Sequence, residues 1–156
     1  MKNKLSIALI AIVVMLALAL IVFVTLKNEI NNNPSNDSRE LIVQNIKDKV
    51  TLIDRGKNYE TKILNNEEFI GHMTDGGGQL VGYFENGALR KIEEKLGLSY
   101  GVITYGYYFY EGNLILIHEL EEDFPYSEDT GSLDYSRVEF AFSGYYYIEN
   151  DNLVDY

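Results

Sequence analysis

The chain contains no cysteine, no tryptophan and only two prolines. The missing cysteine removes disulfides, thiolate metal sites, a catalytic thiol and the acylated cysteine of a bacterial lipoprotein. The fold must therefore stand on packing and hydrogen bonds. Positive charge is also scarce. From Lys27 onward 11 basic residues face 24 acidic ones, a net of −13, and from Leu96 onward Arg137 is the single basic residue against 12 acidic ones. Such a surface repels phosphate backbones and anionic headgroups alike, which excludes a nucleic-acid role. There is no Gly-x-Ser-x-Gly elbow, the signature of a nucleophilic hydrolase. Two histidines, His72 and His118, are too few for a catalytic zinc site without carboxylate help.

What is present begins with an apolar run of 22 residues from Leu5 to Leu26, broken only by Ser6 and Thr25. A helix of that length reaches about 33 Å, enough to cross a hydrocarbon core of ~30 Å. Lys2 and Lys4 precede it, so the positive-inside tendency puts the N-terminus in the cytoplasm and the rest outside. Ala17-Leu18-Ala19 would suit a signal-peptide cleavage site. The run, however, is longer than the ~7–15 residues of a signal core, so an uncleaved anchor over residues 1–26 is the expectation. Residues 27–37, polar and Asn-rich, lack apolar periodicity and are assigned to a stalk. The tripeptide Asn36-Asp37-Ser38 matches a glycosylation acceptor, which matters only in a eukaryotic secretory pathway.

The remainder, 38–156, is sized for one domain. Asp37-Ser38-Arg39-Glu40 has the form of a capping box, and Ile42, Ile46, Val50 and Ile53 then line one helical face. This predicts an amphipathic helix over 38–54, ended by Gly56, with a strand beginning at Val50 as the rival reading. A short strand is expected over 59–64. Beyond it one phrase is written three times: Tyr83-Phe84-Glu85-Asn86-Gly87-Ala88-Leu89, Tyr108-Phe109-Tyr110-Glu111-Gly112-Asn113-Leu114 and Tyr147-Ile148-Glu149-Asn150-Asp151-Asn152-Leu153. Strand-forming residues flank two or three Asn, Gly, Asp or Glu residues, and Asn-Gly in particular accepts the positive φ of tight hairpin turns, so each copy predicts a β-hairpin. The strands are expected at 80–85 with 88–94, 102–110 with 114–120, and 137–148 with 153–156. Spacings of 25 and 39 residues between copies exclude a regular solenoid. The fold class is therefore α+β: a transmembrane helix, then one amphipathic helix packed on a curved antiparallel meander. Alternation puts Tyr105, Tyr107 and Phe109 on one face and Tyr108 and Tyr110 on the other, with Leu114 and Leu116 opposing Ile115 and Ile117.

The helix, the Gly-Gly and aromatic strand with Leu89-Arg90-Lys91-Ile92, Ser99-Tyr100-Gly101, Tyr107-Tyr108-Phe109 with Gly112-Asn113-Leu114-Ile115, and the final Tyr146-Tyr147-Ile148 hairpin together resemble a group of uncharacterised bacterial secreted or envelope proteins. The resemblance spans 38–156 and implies fold and compartment, with no activity. Asp151 stands where that pattern has glycine.

Candidate sites are few. Gly76-Gly77-Gly78 lacks the following Lys-Ser or Lys-Thr of a phosphate loop and is expected to be a turn or bulge. Asp129-Thr130-Gly131-Ser132 echoes the aspartic-protease triplet but has no second copy. Glu119, Glu121, Glu122, Asp123, Glu128, Asp129 and Asp134 form an acidic cluster that could take calcium, though its spacing fits no EF-hand and a solvated loop is the more frequent outcome. No catalytic residue and no cofactor are expected. The candidate interaction surface consists of Tyr105, Tyr107, Tyr108, Tyr110, Tyr145, Tyr146 and Tyr147 with Glu121, Glu122 and Asp123. Its expected partner is a basic protein or peptide, or a glycan, met outside the membrane by a non-enzymatic, inhibitor- or immunity-like module. The alternative is a cell-wall glycan hydrolase or glycan-binding protein, the hydrolase drawing a carboxylate pair from Glu119, Glu121, Asp134 and Glu139. A structural envelope protein with no specific ligand is the third possibility.

Overall fold

The computed structural model describes residues 36–69 and 75–156. The apolar run, most of the stalk and His72 lie outside the described residues, within which no helix is long and apolar enough to cross a membrane. Helix α1 (Asn36–Arg55) is followed by β1 (Glu60–Asn65), the single turn α2 (Asn66–Phe69), β2 (Gly78–Glu85), β3 (Ala88–Gly97), β4 (Gly101–Tyr110) and β5 (Asn113–Asp123). Two short strands, β6 (Tyr126–Ser127) and β7 (Ser132–Leu133), precede β8 (Glu139–Glu149) and β9 (Asn152–Asp155). The fold is α+β: seven strands form one antiparallel sheet in the order β1-β2-β3-β4-β5-β8-β9, and β6 pairs with β7 alone.

Helix α1 begins two residues earlier than the capping pattern suggests, so Asn36 and Asp37 are helical, with Asp37 placing negative charge in the first turn where the helix dipole favours it. It runs through the β-branched Val50 and Ile53 because tertiary burial outweighs their modest helix penalty: Val43, Ile46 and Ile53 are buried. The helix lies against β4, β5, β8 and β9. Ile46 and Ile53 join Tyr108, Ile115 and Leu116 in one cluster. Burying each such side chain stabilises by about 1.5–3 kcal/mol. The end of the helix is fixed by Tyr59, whose hydroxyl donates to the Ile53 carbonyl at 2.7 Å, and by Tyr108, whose hydroxyl donates to Asp54 at 3.1 Å.

The three written phrases share one geometry. Each turn is a pair of positive-φ residues: Asn86 (51°) and Gly87 (78°), Glu111 (51°) and Gly112 (83°), Asn150 (50°) and Asp151 (61°). This is the twist that two-residue hairpins require. Asp151 thus adopts the backbone that glycine would, and β9 forms after it. Each copy also carries a bulge at the same offset, because Phe84 pairs with Leu89, Phe109 with Leu114 and Ile148 with Leu153, leaving Arg90, Ile115 and Val154 as the extra residues. The bulge corrects the simple alternation after each turn. Leu114 packs with Phe109 and Ile117 on the face away from α1, whereas Ile115 and Leu116 both belong to the helix side.

The face away from α1 carries the larger cluster: Leu64, Leu80, Ile92, Tyr107, Phe109, Ile117 and Ile148, with Phe69 of α2 packed against it. Tyr107 has no exposed surface at all. The glycine run fits here as a close approach, since Gly76 donates to the Gly97 carbonyl at 3.0 Å and a Cβ on Gly76 would lie 2.7 Å from the Gly97 Cα.

Candidate functional site

The tyrosines named from the sequence divide between the two faces, and most are structural. Tyr105, Tyr107 and Tyr146 point away from α1 and join a carboxylate network. The register sets Glu94, Tyr105 and Glu119 side by side on β3, β4 and β5. The Tyr105 and Tyr146 hydroxyls donate to the two oxygens of Glu119 at 2.7 and 2.8 Å, and the Tyr107 hydroxyl donates to Glu94 at 2.8 Å. Glu94, only 5% exposed, has its carboxyl pushed above the ordinary range by burial, which the Tyr107 hydrogen bond partly offsets. Burial first and the Glu119 hydrogen bond second push the Tyr146 hydroxyl up to about 12, and the same two effects raise Tyr105 further. Burial, with Glu94 beside it, raises Tyr107 as well.

On the helix side a row of neighbours crosses the sheet from Tyr83 through Lys91, Tyr108 and Leu116 to Tyr147. Lys91 lies over the Tyr108 ring at 5.1 Å and 3.7 Å from Asp54. Lys49 covers Tyr110 at 4.8 Å and Lys47 covers Tyr147 at 5.5 Å. Thus Tyr108, Tyr110 and Tyr147 hold the helix to the sheet.

Tyr145 differs. It is 46% exposed and stacks on His118 with centroids 4.3 Å apart, while the His118 Nε2 lies 3.1 Å from the Ser143 hydroxyl. Burial, reinforced by Lys91, holds that imidazole below its usual pKa. Beside Tyr145 on the same strand stand Phe140, 72% exposed, and Phe142, 44% exposed. Sequence reasoning missed both. A signal existed: residues 140–148 carry no charge at all, unusual for a strand with an open edge.

That edge is open because β9 pairs only with 147–149 of β8. Among the described residues no strand lies beyond 139–146 on that side, so alternate N–H and C=O groups there face outward without a ladder partner. A groove of about 390 Å³ follows the edge, lined by 142–147 and by Tyr156. A further bulge at Ala141, between Glu121 opposite Phe142 and Glu122 opposite Phe140, turns the two phenylalanines toward opposite faces.

The acidic residues do not converge. Glu119 is engaged by tyrosines, Glu121 shares the distal face and Glu122 the helix side, and Asp123 ends its strand opposite Gly101 and Glu139. Asp134 accepts from Ser136 at 2.6 Å and pairs with Arg137 at 3.1 Å, and Arg137 also reaches Glu139 at 3.7 Å. Among the described residues no three metal-ligating side chains come together. Asp129, Thr130 and Gly131 lie in the exposed connection of the β6–β7 hairpin and Ser132 begins β7, with Gly131 donating to the Ser127 carbonyl at 2.9 Å. Of the hydrolase candidates, Asp134 and Glu139 meet at Arg137, whereas Glu119 is paired across Tyr105 with Glu94, a residue the sequence pattern did not single out. Comparison with family profiles, with curated proteins and with solved structures finds no match to this chain.

Proposed function

We propose that this is a membrane-tethered, extracytoplasmic, non-enzymatic binding module that takes a basic protein or peptide on the aromatic edge of its acidic sheet. The observation that carries the reading is three exposed aromatics on one strand, Phe140 and Tyr145 on the helix side of β8 and Phe142 on the other, in the stretch of chain from Leu96 onward, whose one basic residue, Arg137, is already paired with Asp134 and Glu139. Exposed aromatic patches with a polar surround are features of interaction surfaces. The tether and its orientation rest on the run from Leu5 to Leu26 with Lys2 and Lys4 before it. Hydrolysis is less well supported, because both oxygens of Glu119 and one of Glu94 already accept tyrosine hydroxyls.

Photo-crosslinking on intact cells tests the reading, with the reactive residue placed at Phe140 or, as a control, at Ile63 of β1. The expected outcome is adducts from Phe140 alone, formed with basic proteins outside the membrane and suppressed by added polylysine. Adducts that form equally from both positions, or none from Phe140, contradict it. Compartment is checked separately by Thr130→Cys, which a membrane-impermeant maleimide is expected to label on intact cells.

A further inference from the structure

We infer that the partner is bound by β-strand addition: an extended, basic segment pairs its backbone with the outer edge of β8 over 139–146 and becomes an added strand of the sheet. The inference rests on the binding reading above and specifies its mode. Three features of the edge converge on it. The backbone groups of 139–146 that face away from β5 have no neighbouring strand among the described residues, while β9 occupies only 147–149, so an incoming strand would continue the line that β9 begins. Side chains stand on both faces of that line. The register places Phe140 and Tyr145 on the helix side, Phe142 and Tyr146 on the other. An added strand, whose own side chains alternate, therefore meets an aromatic on whichever face each points to. The residues one strand inward, Glu119, Glu121 and Glu122, supply carboxylates on both faces, and the chain from Leu96 onward holds 12 acidic residues against the already paired Arg137.

The charge decides the occupant. A second copy would bring another net −13 from its own residues beyond Lys27 to the same place, and like charge opposes that encounter at ordinary ionic strength. A basic strand is drawn in by the same field. Main-chain hydrogen bonds then supply affinity that tolerates many sequences, with the aromatics selecting apolar or cationic side chains at alternate positions. Rings at 140, 142 and 145 can accept Lys or Arg cations as well as apolar groups, because their faces carry the negative end of the ring quadrupole.

The test uses the full chain in nanodiscs and a capped peptide of alternating lysine and valine as long as 139–146, with binding followed by calorimetry. Three comparisons separate the mode from the broader reading. The same peptide N-methylated at alternate residues keeps charge and side chains but loses one hydrogen-bonding edge. The Phe140→Ser/Tyr145→Ser double variant alters the β8 edge, and Ile63→Ser alters the β1 edge as a control. A glutamate–valine peptide tests charge. The inference predicts at least about a tenfold loss of affinity on N-methylation and on the β8 double substitution, a change within about twofold for Ile63→Ser, and no measurable binding of the glutamate peptide. If N-methylated and unmodified peptides bind alike while the glutamate peptide does not, strand addition is overturned and the acidic binding reading survives. If the lysine and glutamate peptides behave alike, both fail. Sedimentation of the full chain alone provides a further check: a dimer that the Phe140→Ser/Tyr145→Ser variant abolishes would make a second copy the occupant and overturn the inference.

Discussion

The two edges of the sheet are built on opposite principles. At β1 the outermost strand is six residues long, carries Glu60 and Lys62, and runs straight into α2, where Asn65 donates to the Glu68 carboxylate at 2.8 Å. Lys62 also lies over the Phe84 ring at 4.9 Å, which keeps its charge at the sheet border. These are the devices by which natural sheets discourage further pairing. At β8 the exposed stretch is longer, uncharged from 140 to 148 and lined with aromatic rings. Local protection is missing there. In its place the chain from Lys27 onward carries a net charge of −13, which on the binding reading proposed above would oppose pairing of identical molecules without closing the edge to a basic strand. The difference between them is one of local charge: β1 carries Glu60 and Lys62 along its length, whereas the open stretch of β8 carries only Glu139 at its start.

The strongest challenge to the comparison removes the sheet that joins the edges. Ile117 is 1% exposed at the centre of the larger cluster, and Ile117→Ala is expected to cost about 2–5 kcal/mol in chemical denaturation. Amides of β1 and β8 are then expected to lose protection together. Independent loss would mean that the edges belong to separate units. A second challenge strips the guards from β1. Glu60→Val/Lys62→Val leaves that strand uncharged, and calorimetry is expected to find more than one lysine–valine peptide per chain where the parent takes one. Unchanged stoichiometry would show that charge is not what closes β1.

A smaller effect is expected at the third hairpin, which sets where β9 stops covering β8. Asp151→Gly relieves the left-handed backbone at φ 61° and is expected to raise stability by about 1 kcal/mol with affinity for the peptide unchanged, as read by thermal melts and calorimetry. The smallest concerns Glu94, which lies in the sheet interior between the edges. Burial raises its carboxyl above the ordinary 4.5, so the folded state holds the proton more tightly than the unfolded one. Stability therefore falls as pH rises from the unfolded value through the folded one, and is level above that window. Glu94→Gln removes the dependence. Its melting temperature relative to the parent is expected to climb as pH rises above the unfolded carboxyl value and then to level off, and a constant difference would contradict the assignment.

Much of this architecture was legible. The hairpin pairs flanked by strand formers, the apolar spacing Ile42, Ile46, Val50, Ile53 and the meander order all follow from local preference, and the described elements match them within a few residues. What escaped has a physical cause in each instance. Residue alternation cannot reveal a bulge, so it groups Leu114 with Leu116 and Ile115 with Ile117, whereas the structure places Leu114 with Ile117 and Ile115 with Leu116, even though Arg90, Ile115 and Val154 occupy the same place in all three copies. Glu94 follows Glu93 and resembles any solvated pair. Its burial arises only when β4 brings the Tyr107 hydroxyl to it. Tyrosine is abundant in this chain, but abundance does not separate Tyr108, held by Asp54, from Tyr145, which is open. Phe140 and Phe142 gain meaning only from the strand order that leaves β8 beside a short β9.

Hydrogen–deuterium exchange of the full chain, free and with the lysine–valine peptide, tests the claim of one open edge most directly. The account predicts fast exchange at alternate amides of 139–146 in the free protein, strong protection of those amides when the peptide binds, and no change at 60–65. Protection at 60–65, or binding that leaves 139–146 as it was, would contradict it.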